Sequence, residues 1–102
     1  MRIIALRIKG EFDNMKKKVS KWIDGDSGWF SDKTHFRLAR VNAPERNQFG
    51  AETATRRAAG MTGQTRGYVN IKPISRDRYD RLLVEMSNKH GSINNRLIKK
   101  RN

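Results

Sequence analysis

The stretch that decides the fold is residues 35–45, which read His-Phe-Arg-Leu-Ala-Arg-Val-Asn-Ala-Pro-Glu. It begins with the two-residue period of a strand, because Phe36 and Leu38 face one side and Arg37 faces the other. The pattern therefore predicts a strand that buries two apolar side chains and turns an arginine away from them.

The end of this stretch is set by a proline. Pro44 has no N–H donor and forces the residue before it into an extended conformation, so we expect the strand to stop there. Asn42 and Glu45 are then predicted at the end of the strand and in the loop after it, where side-chain oxygens are held rigidly but stay wet. Upstream, residues 24–26 offer two carboxylates at a turn, and downstream Arg81 precedes an apolar run.

The composition favours a polyanionic partner. The chain has 102 residues with 23 basic and 10 acidic side chains, a net charge of +13, and only 35% hydrophobic residues. We expect one domain over residues 1–102 with a small core, and nucleic acid is the commonest partner of so basic a chain. The alternative is that the charge serves only solubility. The absence of cysteine excludes disulfides, a thiol nucleophile and thiolate metal sites.

No segment has the composition of a membrane span or a secretion signal. No stretch approaches the roughly 18 apolar residues that a span needs, and Arg7 and Lys9 interrupt any signal-peptide core near the start. We therefore expect a cytoplasmic monomer with no membrane partner. Secretion stays open if an earlier segment was removed.

The first half of the chain has the pattern of a meander of strands. Residues 10–14 and 31–34 are predicted turns, and Asp24-Gly25 is a hairpin dipeptide. Alternating apolar residues predict four strands, at residues 2–9, 19–23, 29–30 and 36–41.

The second half adds helices to further strands. Residues 49–59 are rich in alanine and contain no proline, and no glycine follows Gly50 until Gly60, which predicts a helix that ends at Gly60. Two strands and a terminal helix are predicted at residues 68–74, 82–86 and 93–100. Pro73 places the first of these strands at an edge or an end. The predicted fold class is mostly β with helices (α+β). We expect a small five-stranded oligonucleotide-binding (OB) barrel with an inserted helix and a C-terminal helix.

Five polar side chains near the ends of these elements could carry chemistry together: Asp26, Arg37, Asn42, Glu45 and Arg81. Taken singly, each reads as an ordinary turn or surface residue. As a set they supply hard oxygens for a divalent cation, a carboxylate for water, and guanidinium groups for the charge of a phosphorane. The set therefore predicts metal-assisted cleavage of a phosphodiester.

Other metal sites fit the sequence poorly. A helix-loop-helix calcium loop that opens at Asp24 fails, because Gly28 and His35 stand where it needs an oxygen ligand and a bidentate glutamate. His35 and His90 have no partner at metal-binding spacing. We expect both to be surface histidines or histidines whose hydrogen bonds are satisfied.

The sequence resembles the thermonuclease family, the staphylococcal-nuclease-like proteins, over about residues 19–98. The four matching segments are residues 22–27 (Trp-Ile-Asp-Gly-Asp-Ser), 36–45, 49–54 (Phe-Gly-Ala-Glu-Thr-Ala) and 77–83 (Asp-Arg-Tyr-Asp-Arg-Leu-Leu). Residues 93–98 are similar to the start of the family's last helix. One such motif could arise by coincidence, whereas four in the right order are specific.

The resemblance implies an OB barrel that hydrolyses DNA and RNA with calcium. It makes Asp26 a calcium ligand, with the backbone carbonyl of Ala43 beside the second ligand position. That second position is Asn42, where the family usually has an aspartate.

The resemblance also assigns the catalytic and binding residues. Glu45 falls on the proposed general base or water-orienting glutamate. Arg37 and Arg81 fall on the two phosphate-contacting arginines. Arg78 and Tyr79 lie where members of the family touch the phosphate and the ring of the nucleotide.

Asn42 keeps two further interpretations open. An amide oxygen still coordinates calcium, but one negative charge is lost, so we expect weaker metal binding or use of another divalent ion. One alternative is a barrel that binds nucleic acid without cleaving it. The other is a basic protein-interaction or ribosome-associated module whose carboxylates are purely structural.

Overall fold

The computed structural model describes residues 15–100, and the strand and turn predicted at residues 2–9 and 10–14 lie outside that range. Its elements are β1 (Met15–Asp24), β2 (Ser27–Phe30), β3 (His35–Leu38), α1 (Ala51–Gly63), β4 (Tyr68–Arg76), β5 (Leu82–Asn88), β6 (Gly91–Ser92) and α2 (Ile93–Lys100). Neither of the two helices in the described range has the length and apolar content needed to cross a membrane.

Five strands close into a barrel. β1, β2 and β3 form an antiparallel meander, and β4 pairs antiparallel with both β1 and β5. The barrel closes where β3 lies parallel to β5, with Arg37 opposite Leu83. The two-residue β6 pairs with the end of β5. The predicted class, a mostly-β OB-like barrel with an inserted and a C-terminal helix, is confirmed.

The inward-facing side chains of the strands form the core. Phe36 and Leu38 are fully buried while Arg37 between them is partly exposed, as their alternation predicts. The Phe36 ring stacks on Phe30 with centroids 4.4 Å apart and meets the edge of Trp22 at 5.1 Å. These aromatic contacts fix β3 against β1 and β2.

The end of β3 differs from the prediction. The strand stops at Leu38 rather than Val41, well before Pro44, because Arg40 takes a left-handed conformation with φ of +66°. The Arg40 guanidinium forms two hydrogen bonds of 2.8 and 2.9 Å with the carboxylate of Glu85 on β5. A tertiary ion pair thus accompanies the turn that ends the strand.

The inserted helix passes through the glycine that was predicted to end it. α1 continues past Gly60 to Gly63 because its last turns pack against the barrel. Thr62 is buried there and accepts a 3.0 Å hydrogen bond from the indole N–H of Trp22. Tertiary packing therefore outweighs the roughly 1 kcal/mol that a glycine costs inside a helix.

Pro73 does not mark an edge strand, because β4 lies between β1 and β5. Among the described residues β1 pairs with β4 only as far as Ile71, so Pro73 follows the last paired position on that side. The β4–β5 register also shifts between Pro73 and Ser75. A bulge accommodates the missing donor within an internal strand.

Candidate functional site

The β1–β2 turn presents a buried carboxylate. The Asp26 side chain points into protein and its residue is only 7% exposed. Its Oδ2 accepts hydrogen bonds from the backbone N–H of Ala43 at 3.0 Å and from Nη2 of Arg37 at 3.3 Å. Asp24 supports the turn, since its Oδ1 accepts from the Asp26 N–H at 3.2 Å and from the Ser27 hydroxyl at 2.8 Å.

Close packing at Gly25 holds the loop after β3 against this turn. A Cβ added to Gly25 would lie 2.8 Å from the Cβ atoms of both Ala43 and Ala54, the latter on α1. Real Cβ contacts are not that short, so only glycine lets the three backbones approach so closely. The position of Ala43 therefore depends on Gly25.

Arg37 joins the turn to the loop. Its Nη1 donates to the carbonyl of Leu38 at 2.8 Å, and its Nη2 donates both to Asp26 and to Oδ1 of Asn42, the latter at 3.1 Å. Four sequence-predicted residues, Asp26, Arg37, Asn42 and Ala43, thus form one hydrogen-bonded cluster. A guanidinium carries five donors, so Arg37 keeps capacity for a phosphate.

Glu45 and Arg81 line the cleft beside this cluster. The cleft has a volume of about 550 Å³, and Asp24, Ser27 and His35 contribute to its walls. Asp24 and Ser27 also flank Asp26 in the β1–β2 turn. The cleft of Glu45 and Arg81 therefore adjoins the Asp26 cluster at this turn. The backbone N–H of Glu45 donates to Gln48 at 2.7 Å, and its carboxylate is exposed to solvent.

Arg81 is oriented by an acidic partner. Its Nε donates to Oδ2 of Asp77 at 2.8 Å, while Oδ1 of Asp77 accepts the backbone N–H groups of Tyr79 and Arg81. Burial acts to raise the pKa of Asp77, but these hydrogen bonds together lower it. The carboxylate therefore stays ionised and holds the guanidinium in place.

Tyr79 stands between two arginines on the same loop. The guanidinium carbons of Arg78 and Arg81 lie 5.2 and 5.3 Å from the centre of its ring, which is 63% exposed. Cations over an aromatic face are attracted to the ring quadrupole. The loop places the predicted nucleic-acid residues Arg78 and Tyr79 directly beside Arg81.

The surroundings of Asp26 disfavour the ionised form of its carboxylate. The pKa of Asp26 is raised to about 6, chiefly by burial and also by the Asp24 side chain, because the Ala43 N–H and Arg37 only partly offset these two effects. A cation that neutralised the two carboxylates would relieve this cost.

The candidate ligands are all oxygen atoms, which hard cations prefer. Asp26 offers a carboxylate, Asn42 an amide oxygen and Ala43 a backbone carbonyl, and Ca²⁺ binds six to eight such oxygens. Within residues 15–100 no group of three or more His, Cys, Asp or Glu side chains is arranged to hold a metal. Water and phosphate oxygens would have to complete the coordination.

His35 is a cleft residue that the sequence analysis set aside. Its ring stacks on Trp29 with centroids 4.3 Å apart, and its buried Nε2 has no hydrogen-bond partner among the described residues. Desolvation and the charge of Arg81 lower the pKa of His35. His35 is partly exposed and lines the cleft, which agrees with the surface alternative, whereas its Nε2 is not satisfied by any described residue. The signal was its position two residues before Arg37, on the same strand face.

The chain matches the model of one protein family, described as staphylococcal nuclease homologue, over residues 35–100. The matched range contains every candidate residue except Asp26, which precedes it. No curated protein matches the chain.

Proposed function

Because the chain belongs to the staphylococcal nuclease homologue family, we propose that it hydrolyses phosphodiester bonds of DNA or RNA with a bound divalent cation, calcium in the first instance. The observation that carries the proposal is the hydrogen-bonded cluster around Asp26, adjoining the cleft of Glu45 and Arg81. Negative oxygens beside oriented guanidinium groups are the combination that binds a cation and a phosphate together.

Asp26, Asn42 and the carbonyl of Ala43 would hold the cation. When bound, it would supply positive charge that neutralises a phosphate oxygen. The protein's own part is to pre-position the donors, and the bonds from Ala43 and Arg37 to Asp26 do this by fixing the turn to the loop.

Glu45 is the residue that would act on water. Its exposed carboxylate lies in the same cleft as Arg81, where it would orient a water molecule or take its proton. Arg37 and Arg81 would stabilise the charge that develops on the phosphorane, since both guanidinium groups are held by neighbouring acceptors before substrate arrives. Arg78 and Tyr79 would contact the phosphate and ring of the bound nucleotide.

The first prediction concerns Glu45 and the metal. We expect labelled single-stranded DNA and RNA to be degraded in calcium, and degradation to stop in a chelator. Glu45→Gln should slow cleavage about 10²- to 10⁴-fold, the usual contribution of a general base, while binding of the oligonucleotide changes little.

The matched control is Glu52→Gln, which removes an exposed carboxylate on α1 that forms an ion pair with Arg56. It should cleave at the wild-type rate. If Glu45→Gln also cleaves as fast as wild type, Glu45 does not have the assigned role.

A second function, nucleic-acid binding without cleavage, is favoured by the amide at position 42. The cluster has one carboxylate fewer than a site with aspartate there, and Asn42 already accepts a hydrogen bond from Arg37. Digests in calcium, magnesium and manganese separate the two functions, with Asn42→Asp as the gain-of-activity variant. Turnover that appears only in Asn42→Asp would assign the binding function to the natural chain.

A further inference from the structure

Phe49 is the most exposed large hydrophobic residue in the part of the chain that the structure describes. It precedes α1 and is 102% exposed, whereas the next, Tyr79, is 63% exposed. Burial of a phenylalanine side chain is worth about 1.5–3 kcal/mol, and the fold gains none of it here. A lone exposed apolar residue is common, so its surroundings decide whether it means more.

Phe49 stands at the rim of a cleft that adjoins the candidate site. The cleft has a volume of about 970 Å³, within the range of small-molecule sites, and Asn42, Ala43, Gln48 and Arg57 share its walls with Phe49. Asn42 and Ala43 are the two loop residues that would hold the cation. The loop therefore contributes residues to both clefts, Glu45 to the first and Asn42, Ala43 and Phe49 to the second.

The charge of this second cleft has one sign. Its lining contains one cation, Arg57, and no Asp or Glu. The neighbouring Arg56 forms an ion pair with Glu52, whereas Arg57 is half-buried and forms no ion pair within residues 15–100. An unpaired guanidinium in a cleft without carboxylates suits an anion, and a phosphate in particular.

We infer that this cleft binds one nucleotide of a single-stranded nucleic acid, with its base stacked on Phe49 and its phosphate on Arg57. An exposed ring and a guanidinium that line one cleft match both parts of a nucleotide, the π-face of the base and the charged backbone. That this nucleotide lies near the cleaved phosphate rests on the proposed function, because Asn42 and Ala43 line this cleft and would also hold the cation. A nonpolar protein segment would leave Arg57 without a partner, so nucleic acid fits the cleft better.

The inference is tested by the fluorescence of 2-aminopurine, which stacking quenches, placed at successive positions of a single-stranded hexanucleotide. Titration in EDTA at low salt measures binding without any turnover. We expect quenching at one or two adjacent positions and loss of that quenching in Phe49→Ala, with binding about 5- to 100-fold weaker. Phe49→Trp should keep the quenching.

Tyr68→Ala is the matched control, because Tyr68 is also an exposed aromatic residue but lies on β4 beside Lys18. It should leave the quenching unchanged. Arg57→Gln should weaken binding and reduce the slope of log affinity against log salt by about 0.7, the value for one phosphate contact on a single strand. Phe49 is fully exposed, so Phe49→Ala should fold as wild type does.

The outcomes separate this inference from the proposed function. If Phe49→Ala binds and quenches as wild type does, or wild type quenches at no position, the inference is wrong even when oligonucleotides are cleaved. If quenching depends on Phe49 but no metal supports cleavage, the nucleotide cleft stands and the nuclease proposal fails. If Phe49→Ala alters only the sedimentation of the protein, the residue serves association between copies and the inference is overturned.

Discussion

At the scale of single residues, the site depends on a carboxylate that the fold destabilises. Asp26 is buried next to Asp24, and its pKa rises to about 6 even though Ala43 and Arg37 donate to it. Residues that bind or react are often held at such a cost to stability. The cost is measurable, because it depends on pH.

Asp26→Asn, measured in the presence of a chelator, tests how much the ionised Asp26 carboxylate lowers the free energy of unfolding. The folded pKa exceeds the unfolded value near 3.9, so wild type loses stability as pH rises from about 4 through 6 and keeps the loss above it. The asparagine variant has no such group, and its free energy of unfolding should exceed that of wild type by about 3 kcal/mol at pH 7.5, since each unit of pKa difference corresponds to about 1.4 kcal/mol. Its advantage should disappear near pH 3.5.

Urea denaturation at intervals of pH gives the difference curve. Asp80→Asn, at an exposed position on the β4–β5 loop, is the control and should follow wild type throughout. A constant difference between Asp26→Asn and wild type across this range would contradict the burial of an ionisable carboxylate.

At the scale of elements, the site is assembled by the contact of a turn, a loop and a helix. Gly25 lies against Ala43 of the loop and Ala54 of α1 with no room for a methyl group. The β1–β2 turn is tied to β3 as well, because the Leu38 N–H donates to the carbonyl of Asp26 at 2.8 Å. No single element carries the site.

Gly25→Ala should therefore damage both stability and the site. The added methyl group must displace the loop or the helix, and overpacking of this kind costs about 1–3 kcal/mol. Displacement of Ala43 should also weaken metal-dependent cleavage by more than the loss of folded protein explains. Chemical denaturation and turnover per folded molecule measure the two effects.

Gly60→Ala is the same substitution in open space, since an added Cβ at that position of α1 meets nothing within 4 Å. It should stabilise the protein by up to about 1 kcal/mol through helix propensity, with activity unchanged. Equal effects of the two substitutions would show that Gly25 is not under steric constraint.

At the scale of the whole molecule, ion pairs engage only some of the basic side chains and leave a large excess of positive charge. The described residues form six ion pairs, and the net charge of the chain is +13. The exposed pairs among them, such as Arg56–Glu52 and Arg76–Asp80, add little stability. The remaining cations raise the potential around the barrel, which attracts a polyanion and speeds its association.

Binding of single-stranded oligonucleotide should therefore weaken steeply with salt. Each neutralised phosphate contributes about −0.7 to the slope of log affinity against log salt, so four to six contacts predict a slope of about −3 to −4. Arg78→Gln should make the slope less steep by about 0.7, because Arg78 lies exposed beside Tyr79. Lys89→Gln, at the β5–β6 turn, should change it less. Affinity that does not depend on salt would exclude a phosphate-binding surface.

The sequence by itself determined most of the local elements and predicted the kind of chemistry. Alternation at Phe36 and Leu38 predicted a buried strand face, Asp24-Gly25 predicted the hairpin, and the charge predicted a polyanionic partner. The first two predictions are confirmed because strand period and turn chemistry are properties of neighbouring residues. The polyanionic partner, which was inferred from composition alone, stays a prediction. The motifs also predicted the family that the match over residues 35–100 confirms.

Only the tertiary structure decided where elements end and what lies beside the site. β3 stops at Leu38 where Arg40 pairs with Glu85, and α1 passes Gly60 because Thr62 is anchored by Trp22. The exposure of Phe49 likewise depends on how α1 and its preceding loop lie on the barrel.

Contacts between distant parts of the chain explain the rest. Asn94 on α2 is fully buried and bonds three backbone groups, the Met86 N–H and the carbonyls of Ala39 and Val84. The parallel pairing of β3 with β5 joins residues more than forty positions apart and brings Arg37 and Arg81 to the same region of the barrel. Partners so far apart in sequence leave no local pattern, because the free energy that selects them comes from closing the barrel and burying its core.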